Sequence, residues 1–366
     1  MRVLVVSKAL VASMYRKKLS ALAKLGVEVF AVVPPSWREG GAEQRLEAGG
    51  ADGFDLVVSP LRWNGHFHLH FYPELPRTID RIRPDLVYMD EEAYNVATLL
   101  GIRAAASRRL GSLFFTWQNL LRRYPLPFRL VEQEVYRRVS WGVAGTEEAA
   151  GVLRTKGFER GITVVPQFGV DPDLFAPGPP LSGPFTVGFF NRLIPAKAPL
   201  QTIAAFAGLP SETGLRLIGD GPLRADVERE VAARKLTGRV CLSARIPSAR
   251  MPDAIRGVHV IVLPSLTTSR WKEQFGRILV EAMACGVPVV GSDSGEIPRV
   301  IGDAGLIVPE NDIEALGAAL RHLYEDADLR RRLAAAGRER VLARFSNERI
   351  AALTYQACVS ALPAGA

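Results

Sequence analysis

The chain has 366 residues, 48% of them hydrophobic and 23% charged, the balance of a globular protein large enough for two domains. No apolar run approaches the roughly 20 residues of a membrane-spanning helix, and the apolar stretch at the start is too short for a signal peptide. The net charge of +8 is spread over both halves, whereas a nucleic-acid arm would be clustered. Three cysteines, Cys241, Cys285 and Cys358, are odd in number and far apart, which points to a reducing cytoplasm and against a disulfide framework. The short basic groups Arg16-Lys17-Lys18, Arg108-Arg109, Arg122-Arg123 and Arg137-Arg138 read as solvated helix faces. A weak peripheral attraction to an anionic membrane surface, on its inner face, or to an anionic acceptor is the alternative.

Val3–Ser7 is almost continuously apolar, as befits a strand of a parallel sheet covered on both faces. Tyr15–Leu25 has helical apolar spacing and stops at Gly26. Further strands are expected at Glu28–Val33, Asp55–Val58, Leu86–Met89 and Ser112–Thr116. Helical segments are expected over Ile79–Arg83, Ala93–Arg109 and Glu132–Ser140, then a helix capped by Thr146 and a last strand at Thr163–Pro166. This alternation predicts a doubly wound α/β domain, in which ligands bind at the carboxyl ends of the strands. Those ends hold Ser7-Lys8-Ala9, Asp90-Glu91-Glu92 and Thr116-Trp117-Gln118-Asn119. The proline-rich stretch Asp171–Pro184 reads as a stiff linker.

The alternation then resumes. Strands are expected at Phe185–Phe190, Leu215–Ile218, Val240–Ser243, Val258–Leu263, Val287–Gly291 and Leu306–Val308. Helices are expected at Ala198–Ala207, Leu223–Lys235, Arg250–Ile255, Gly276–Ala284 and Ile313–Tyr324, the last capped by Asp312. A basic helix over Leu329–Arg344 and a final helix over Asn347–Ser360, with Ser346 as its cap candidate, complete the chain.

The most informative stretch runs from Trp271 to Val290. It reads as loop, helix, glycine stop and buried strand, with Gly286 as the stop and Pro288 just beyond. Glu273 and Glu281 stand in it with seven residues between them, the first in the loop before the helix and the second inside the helix. Gly276 lets the backbone open a helix close to a ligand, and the free N–H groups there suit an anion.

This stretch resembles the E-x7-E signature of retaining glycosyltransferases of family 4. Gly188–Lys197 resembles that family's strand and phosphate-binding loop, Leu217–Leu223 its next strand-turn, and Leu263-Pro264-Ser265 and Gly295-Glu296-Ile297-Pro298 follow in family order. The resemblance implies an α/β protein of GT-B fold, two doubly wound Rossmann-like domains facing each other across a cleft. An acceptor domain would span residues 1–174 with a crossover helix over 347–366, and a nucleotide-sugar domain residues 175–346.

By the same resemblance Arg192 and Lys197 meet the diphosphate and Glu273 a hydroxyl of the donor sugar. The N–H groups of Phe275 and Gly276 help hold that sugar, and Glu281 takes the ribose hydroxyls. Arg277, Ile278, Leu279, Gly219 and Ser265 fall in the donor-binding stretches, with Thr267 close by, and Arg245-Ile246 lie where relatives hold the base. Such enzymes move a hexosyl group from a nucleotide-diphosphate sugar, a UDP-sugar before GDP-mannose, to a glycan, lipid-linked or small-molecule acceptor, as in polysaccharide biosynthesis. They do so without a metal or other cofactor.

The chain departs from the family twice. Lys8-Ala9-Leu10-Val11-Ala12 replaces a Gly-Gly loop, and Gln118, followed by Asn119, stands where relatives carry a His. Glutamine can bond a hydroxyl but cannot carry a proton. These departures keep open a catalytically silent nucleotide-sugar-binding protein, beside a GT-B epimerase or phosphorylase. A nicotinamide dehydrogenase would need G-x-G-x-x-G after the first strand, which Ser7–Met14 lacks. His66, His68 and His70 would share one side of a strand. Such a run reads as a surface loop, an acceptor contact or, less readily, a metal site.

Overall fold

Strands form where consecutive residues are apolar, and the two faces of one strand show why. Val3 and Val5 lie in one apolar cluster and Leu4 and Val6 in another, so the first sheet is covered on both sides, as a parallel sheet must be. In the computed structural model, which describes residues 1–39 and 42–363, one unit takes in Met1–Gly169 and Asn347–Ala366 and the other Val170–Ser346. Residues 364–366, the tail of the expected crossover helix, lie outside the described residues.

The first unit runs β1 (Arg2–Val6), α1 (Lys17–Lys24), β2 (Glu28–Val33), the antiparallel pair β3 (Ser36–Glu39) and β4 (Ala42–Arg45), and β5 (Asp55–Val58). It continues with α2 (Leu75–Ile82), β6 (Leu86–Met89), α3 (Val96–Ala106), β7 (Gly111–Thr116), α4 (Leu126–Arg138), β8 (Trp141–Ala144), α5 (Glu147–Thr155) and β9 (Ile162–Val164). Seven strands form one sheet in the order β5-β2-β1-β6-β7-β8-β9, with every neighbouring pair parallel. Thr146 caps α5 by accepting from Ala149 N at 3.1 Å, as expected.

Three readings are corrected here. α4 begins at Leu126, ahead of the expected Glu132; its early leucines, Leu126 and Leu130, face solvent, so no buried apolar spacing marks the start. The first basic group is not a solvated face. Arg16 is 1% exposed, its guanidinium donating to the Glu47 carbonyl at 2.6 Å, and Lys18 is buried against Asp90 at 3.2 Å. The residues before Lys17 form 3-10 turns, Lys8–Val11 and Ser13–Arg16, and not the start of the helix.

The second unit runs β10 (Thr186–Phe190), α6 (Pro199–Ala207), β11 (Gly214–Ile218), α7 (Arg224–Ala233), β12 (Val240–Ser243), α8 (Met251–Arg256) and β13 (Val260–Leu263). Then come α9 (Arg277–Ala284), β14 (Val289–Ser292), α10 (Ile297–Ile301), β15 (Leu306–Val308), α11 (Ile313–Glu325) and α12 (Ala327–Arg344). Its sheet is β12-β11-β10-β13-β14-β15, again parallel throughout. Asp312 caps α11 by accepting from Ala315 N at 2.8 Å. The expected linker is strapped onto this unit. Phe175 is buried, and Arg338 donates to the carbonyls of Phe175 at 2.9 Å and Pro172 at 3.0 Å.

The last helix, α13 (Asn347–Ala361), belongs to the first unit and buries Ile350, Ala351, Ala357 and Cys358 there. All three cysteines are free. Among the described residues no helix is long and apolar enough to cross a membrane.

Candidate active site

In the second unit the predicted residues gather at the carboxyl ends of β10 and β13. β10 ends at Phe190, and the loop that follows carries Arg192 and, in a 3-10 turn, Lys197. β13 ends at Leu263 and leads to Ser265, which is fully buried. The Lys197 ammonium pairs with Glu273 Oε2, and Ser265 Oγ donates to the same oxygen at 2.8 Å. Lys197 also stands 4.9 Å from the centre of the Trp271 ring, a cation–π contact that a partly desolvated site strengthens. The two motifs lie far apart in sequence and meet in this one cluster. Arg192 is exposed, and its guanidinium pairs with no carboxylate among the described residues.

The backbone around Glu273 is shaped by two glycines. Gly276, the residue before α9, has φ +77°, a left-handed conformation that favours glycine. A Cβ there would also stand 2.8 Å from Leu263 Cδ2. Gly295, at φ +54°, packs against the carbonyl of Glu273, which a Cβ would meet at 2.1 Å. That same carbonyl accepts from Glu296 N at 3.1 Å. The loop before α10 therefore braces Glu273 from behind.

Glu281 lies on α9, 8% exposed, and accepts from Arg277 Nε at 2.7 Å. Burial pushes its pKa above the ordinary carboxylate value, and the Arg277 charge only partly opposes that. A buried carboxylate of this kind offers two acceptor oxygens to hydroxyl groups. The side chains of Phe275, Ile278 and Leu279 are buried. Gly219 and Gly221 pass close to the loop of Arg192. Added Cβ atoms would meet Asn191 O at 1.9 Å and Leu193 O at 2.3 Å. Arg245 and Ile246 follow β12, with Arg245 exposed and its backbone N bonded to Asp220 Oδ2 at 2.9 Å.

Several residues escape sequence reading. Glu310 accepts from both the backbone N and the hydroxyl of Thr267, and Ser292 Oγ donates to Ser265 O at 2.5 Å. Nothing local in the sequence signals either contact, since each joins segments distant along the chain.

In the first unit the strand ends carry a different set. Lys8–Val11 forms a 3-10 turn capped by Ser7, whose Oγ accepts from Ala9 N at 3.2 Å, with Leu10 and Val11 buried. Lys8 pairs with buried Glu91 and stands 4.4 Å from the Phe67 ring centre and 5.4 Å from that of Trp37. Burial works to raise the Glu91 pKa, but Lys8 and His70 overcome it and hold the carboxyl down at about 2. Glu92, by contrast, is pushed up to about 7 by burial, with the hydroxyl of Thr116 at 2.6 Å and Trp117 N at 2.8 Å opposing the rise.

The histidines do not lie on a strand. They occupy turns, with His66 exposed, His68 half-buried and His70 fully buried, 3.5 Å from Glu91. Their shared side is therefore lost. Among the described residues no group of three or more His, Cys, Asp or Glu is placed to hold a metal. Gln118 is 8% exposed, and its Oε1 accepts from Lys156 at 2.8 Å, while Lys156 also reaches Glu132 at 2.7 Å. Among the described residues Gln118 Nε2 is buried without a hydrogen-bond partner. The His68 ring lies among Tyr94, Tyr124 and Phe128 at 5.0–5.9 Å, and Tyr94 and Tyr124 lie 4.2 Å apart. Asn119 is buried beside Gln118.

Comparison with known proteins decides the family. The profile described as Glycosyltransferase Family 4 matches residues 14–174, and that described as Glycosyl transferases group 1 matches residues 172–340. The chain belongs to glycosyltransferase family 4. Among curated relatives of this family member, the 2-deoxystreptamine glucosyltransferase of Streptomyces kanamyceticus is 29% identical over 233 residues, covering 57% of this chain and 57% of that one. The D-inositol 3-phosphate glycosyltransferase of Mycobacterium bovis is 29% identical over 256 residues, covering 64% of this chain and 50% of that one. The chain thus spans only about half the length of the curated relatives it matches. Anabaena Alr3699/HepE, solved in complex with UDP, has a TM-score of 0.75 at 18% identity, covering 98% of this chain and 100% of that one. The fold of this family 4 member is GT-B, two Rossmann-like units with the last helix returned to the first.

Proposed function

We propose that this chain is a retaining glycosyltransferase. It moves a hexosyl group from a nucleoside-diphosphate sugar, a UDP-sugar before GDP-mannose, to a hydroxyl of a glycan, glycolipid or small-molecule acceptor, without a metal. The observation that carries the reading is the joining of Lys197, Ser265 and Glu273 at the strand ends of the second unit. Arg192 leaves the same loop unpaired among the described residues. UDP and UDP-glucose complexes of Anabaena Alr3699/HepE support a UDP-sugar donor.

The departing diphosphate carries strong negative charge, and preorganised cations and N–H dipoles stabilise it most. Arg192 suits bidentate phosphate contact, and Lys197 acts as a point charge. Glu281 accepts from the ribose hydroxyls, and Glu273, steadied by Lys197 and Ser265, from a hydroxyl of the sugar. The acceptor oxygen bonds to the anomeric carbon on the face the phosphate leaves, and the departing phosphate oxygen takes the acceptor's proton. On the first unit, Gln118, Lys156 and the tyrosines around His68 form a polar and aromatic setting suited to a hydroxyl-rich acceptor. Retention of Arg192, Lys197, Glu273 and Glu281 together favours catalysis over a silent binding protein.

The test uses slow donor hydrolysis, in which water replaces the unknown acceptor. With UDP-glucose and excess chelator, proton NMR should show UDP release and α-glucose formed first. First formation of β-glucose would contradict retention. Turnover only after a divalent cation is restored would contradict the metal-free route.

A further inference from the structure

An outward helix face is ordinarily polar, and α4 breaks that rule. Phe128, Glu132, Val135 and Tyr136 lie on its inner side, while Leu126, Arg129, Leu130, Gln133 and Arg137 form an exposed stripe at helical spacing. Leu126 is 58% exposed, Leu130 55%, and Leu121 just ahead of the helix 57%. Those are three of the four most exposed large hydrophobic side chains among the described residues, and all fall within 121–130. Arg122, Arg123 and Arg129 are exposed between them, and Arg123 and Arg129 pair with no carboxylate among the described residues.

The surroundings extend the same character. The His68 ring is 5.0 Å from that of Phe128, which brings alongside a turn where Phe67 is 42% and Leu69 39% exposed. The carboxylates of α4 do not offset the arginines on this side. Glu132 is buried against Lys156, and Glu134 is held by Arg103, Arg137 and Arg138. From this pattern we infer that residues 121–130 dock the protein on an anionic lipid bilayer. The leucines enter the headgroup–acyl boundary and the arginines meet lipid phosphates. A second copy is a poor occupant, because an isologous contact would bring two copies of the same basic patch together. The inference goes beyond the transfer reaction and does not depend on the donor.

Vesicle sedimentation of the whole chain tests it, using phosphatidylcholine alone and phosphatidylcholine with phosphatidylglycerol. The protein should pellet with the anionic vesicles, weakly with the neutral ones, and less as salt rises. Arg123→Glu with Arg129→Glu should lower partitioning at least about 25-fold, since each arginine near such a surface contributes a factor of about 5. Leu126→Ser with Leu130→Ser should lower it by roughly 10-fold or more. A melting temperature unchanged in the absence of any ligand shows that both double variants remain folded. The proposal is overturned if the unaltered protein ignores anionic vesicles, if it binds neutral ones equally, or if neither pair of changes matters. It is equally overturned if the same changes dissolve a dimer seen by sedimentation velocity in the absence of lipid.

Discussion

Lys197→Ala should lower turnover by about 100- to 1000-fold, the usual loss when one preorganised group that stabilises transition-state charge is removed. It should also destabilise the second unit. Lys197 and Glu273 are both largely buried, with side chains 13% and 7% exposed. Removing one partner leaves the other charge desolvated and costs roughly 3 kcal/mol, or a fall of about 6–12 °C in melting temperature. Adding Glu273→Ala should restore part of the stability and none of the activity, because the buried carboxylate that lost its ammonium is then gone. Arg192→Ala should separate the two effects. Its guanidinium is exposed and unpaired among the described residues, so turnover should fall with little change in melting. Full activity in both Lys197→Ala and Arg192→Ala would remove the phosphate role from this loop.

Glu281→Ala should weaken nucleotide-sugar binding by on the order of 10- to 100-fold, the worth of hydrogen bonds to a charged acceptor. Glu281→Gln keeps one acceptor oxygen and should lose less. The same residue should leave a mark on pH dependence. Burial raises its pKa in the folded protein, with Arg277 only partly compensating, so the folded state holds this proton more tightly than the unfolded chain does. Its contribution to stability therefore falls as pH rises from the unfolded value, about 4.3, through the folded one, and stays low above that. The melting temperature of Glu281→Gln relative to the unaltered protein should accordingly rise as pH is raised from about 4 to neutrality. Unaltered donor affinity in Glu281→Ala would sink the ribose role, whatever the melting curves show.

Much of this architecture was legible because parallel strands buried on both faces are written as apolar runs. Val3–Val6, Leu86–Met89 and Val260–Leu263 are each almost wholly buried, and their neighbours followed from the alternation with helices. The pair Ala42–Arg45 and Ser36–Glu39 was missed because β4 is exposed at every residue, so no apolar pattern marks it. The start of α4 was missed for the opposite reason, since Leu126 and Leu130 are apolar but face solvent. Arg16 was misjudged because charge alone does not reveal a carbonyl partner thirty-one residues away, such as that of Glu47.

The candidate site shows the same division. The Glu273–Glu281 spacing and the glycine before α9 are local and could be read directly. The histidine run could not, because its strand-like spacing folds as turns that send His66 outward and His70 inward. Pairing of Lys197 with Glu273, bracing of Glu273 by Gly295 and anchoring of Thr267 by Glu310 all join distant segments. No spacing rule reaches such contacts.

The most direct test is a thermal-shift panel of UDP-, GDP- and ADP-linked sugars with the free nucleotides, run on the unaltered protein and on Glu281→Ala. A ligand that binds only the folded state raises its stability by about 2.7 kcal/mol at one hundred times its Kd. UDP-glucose or another UDP-sugar should raise the melting temperature of the unaltered protein, and Glu281→Ala should lose most of that shift. No shift with any nucleotide sugar, or an equal shift in both proteins, would contradict a donor site built on this helix.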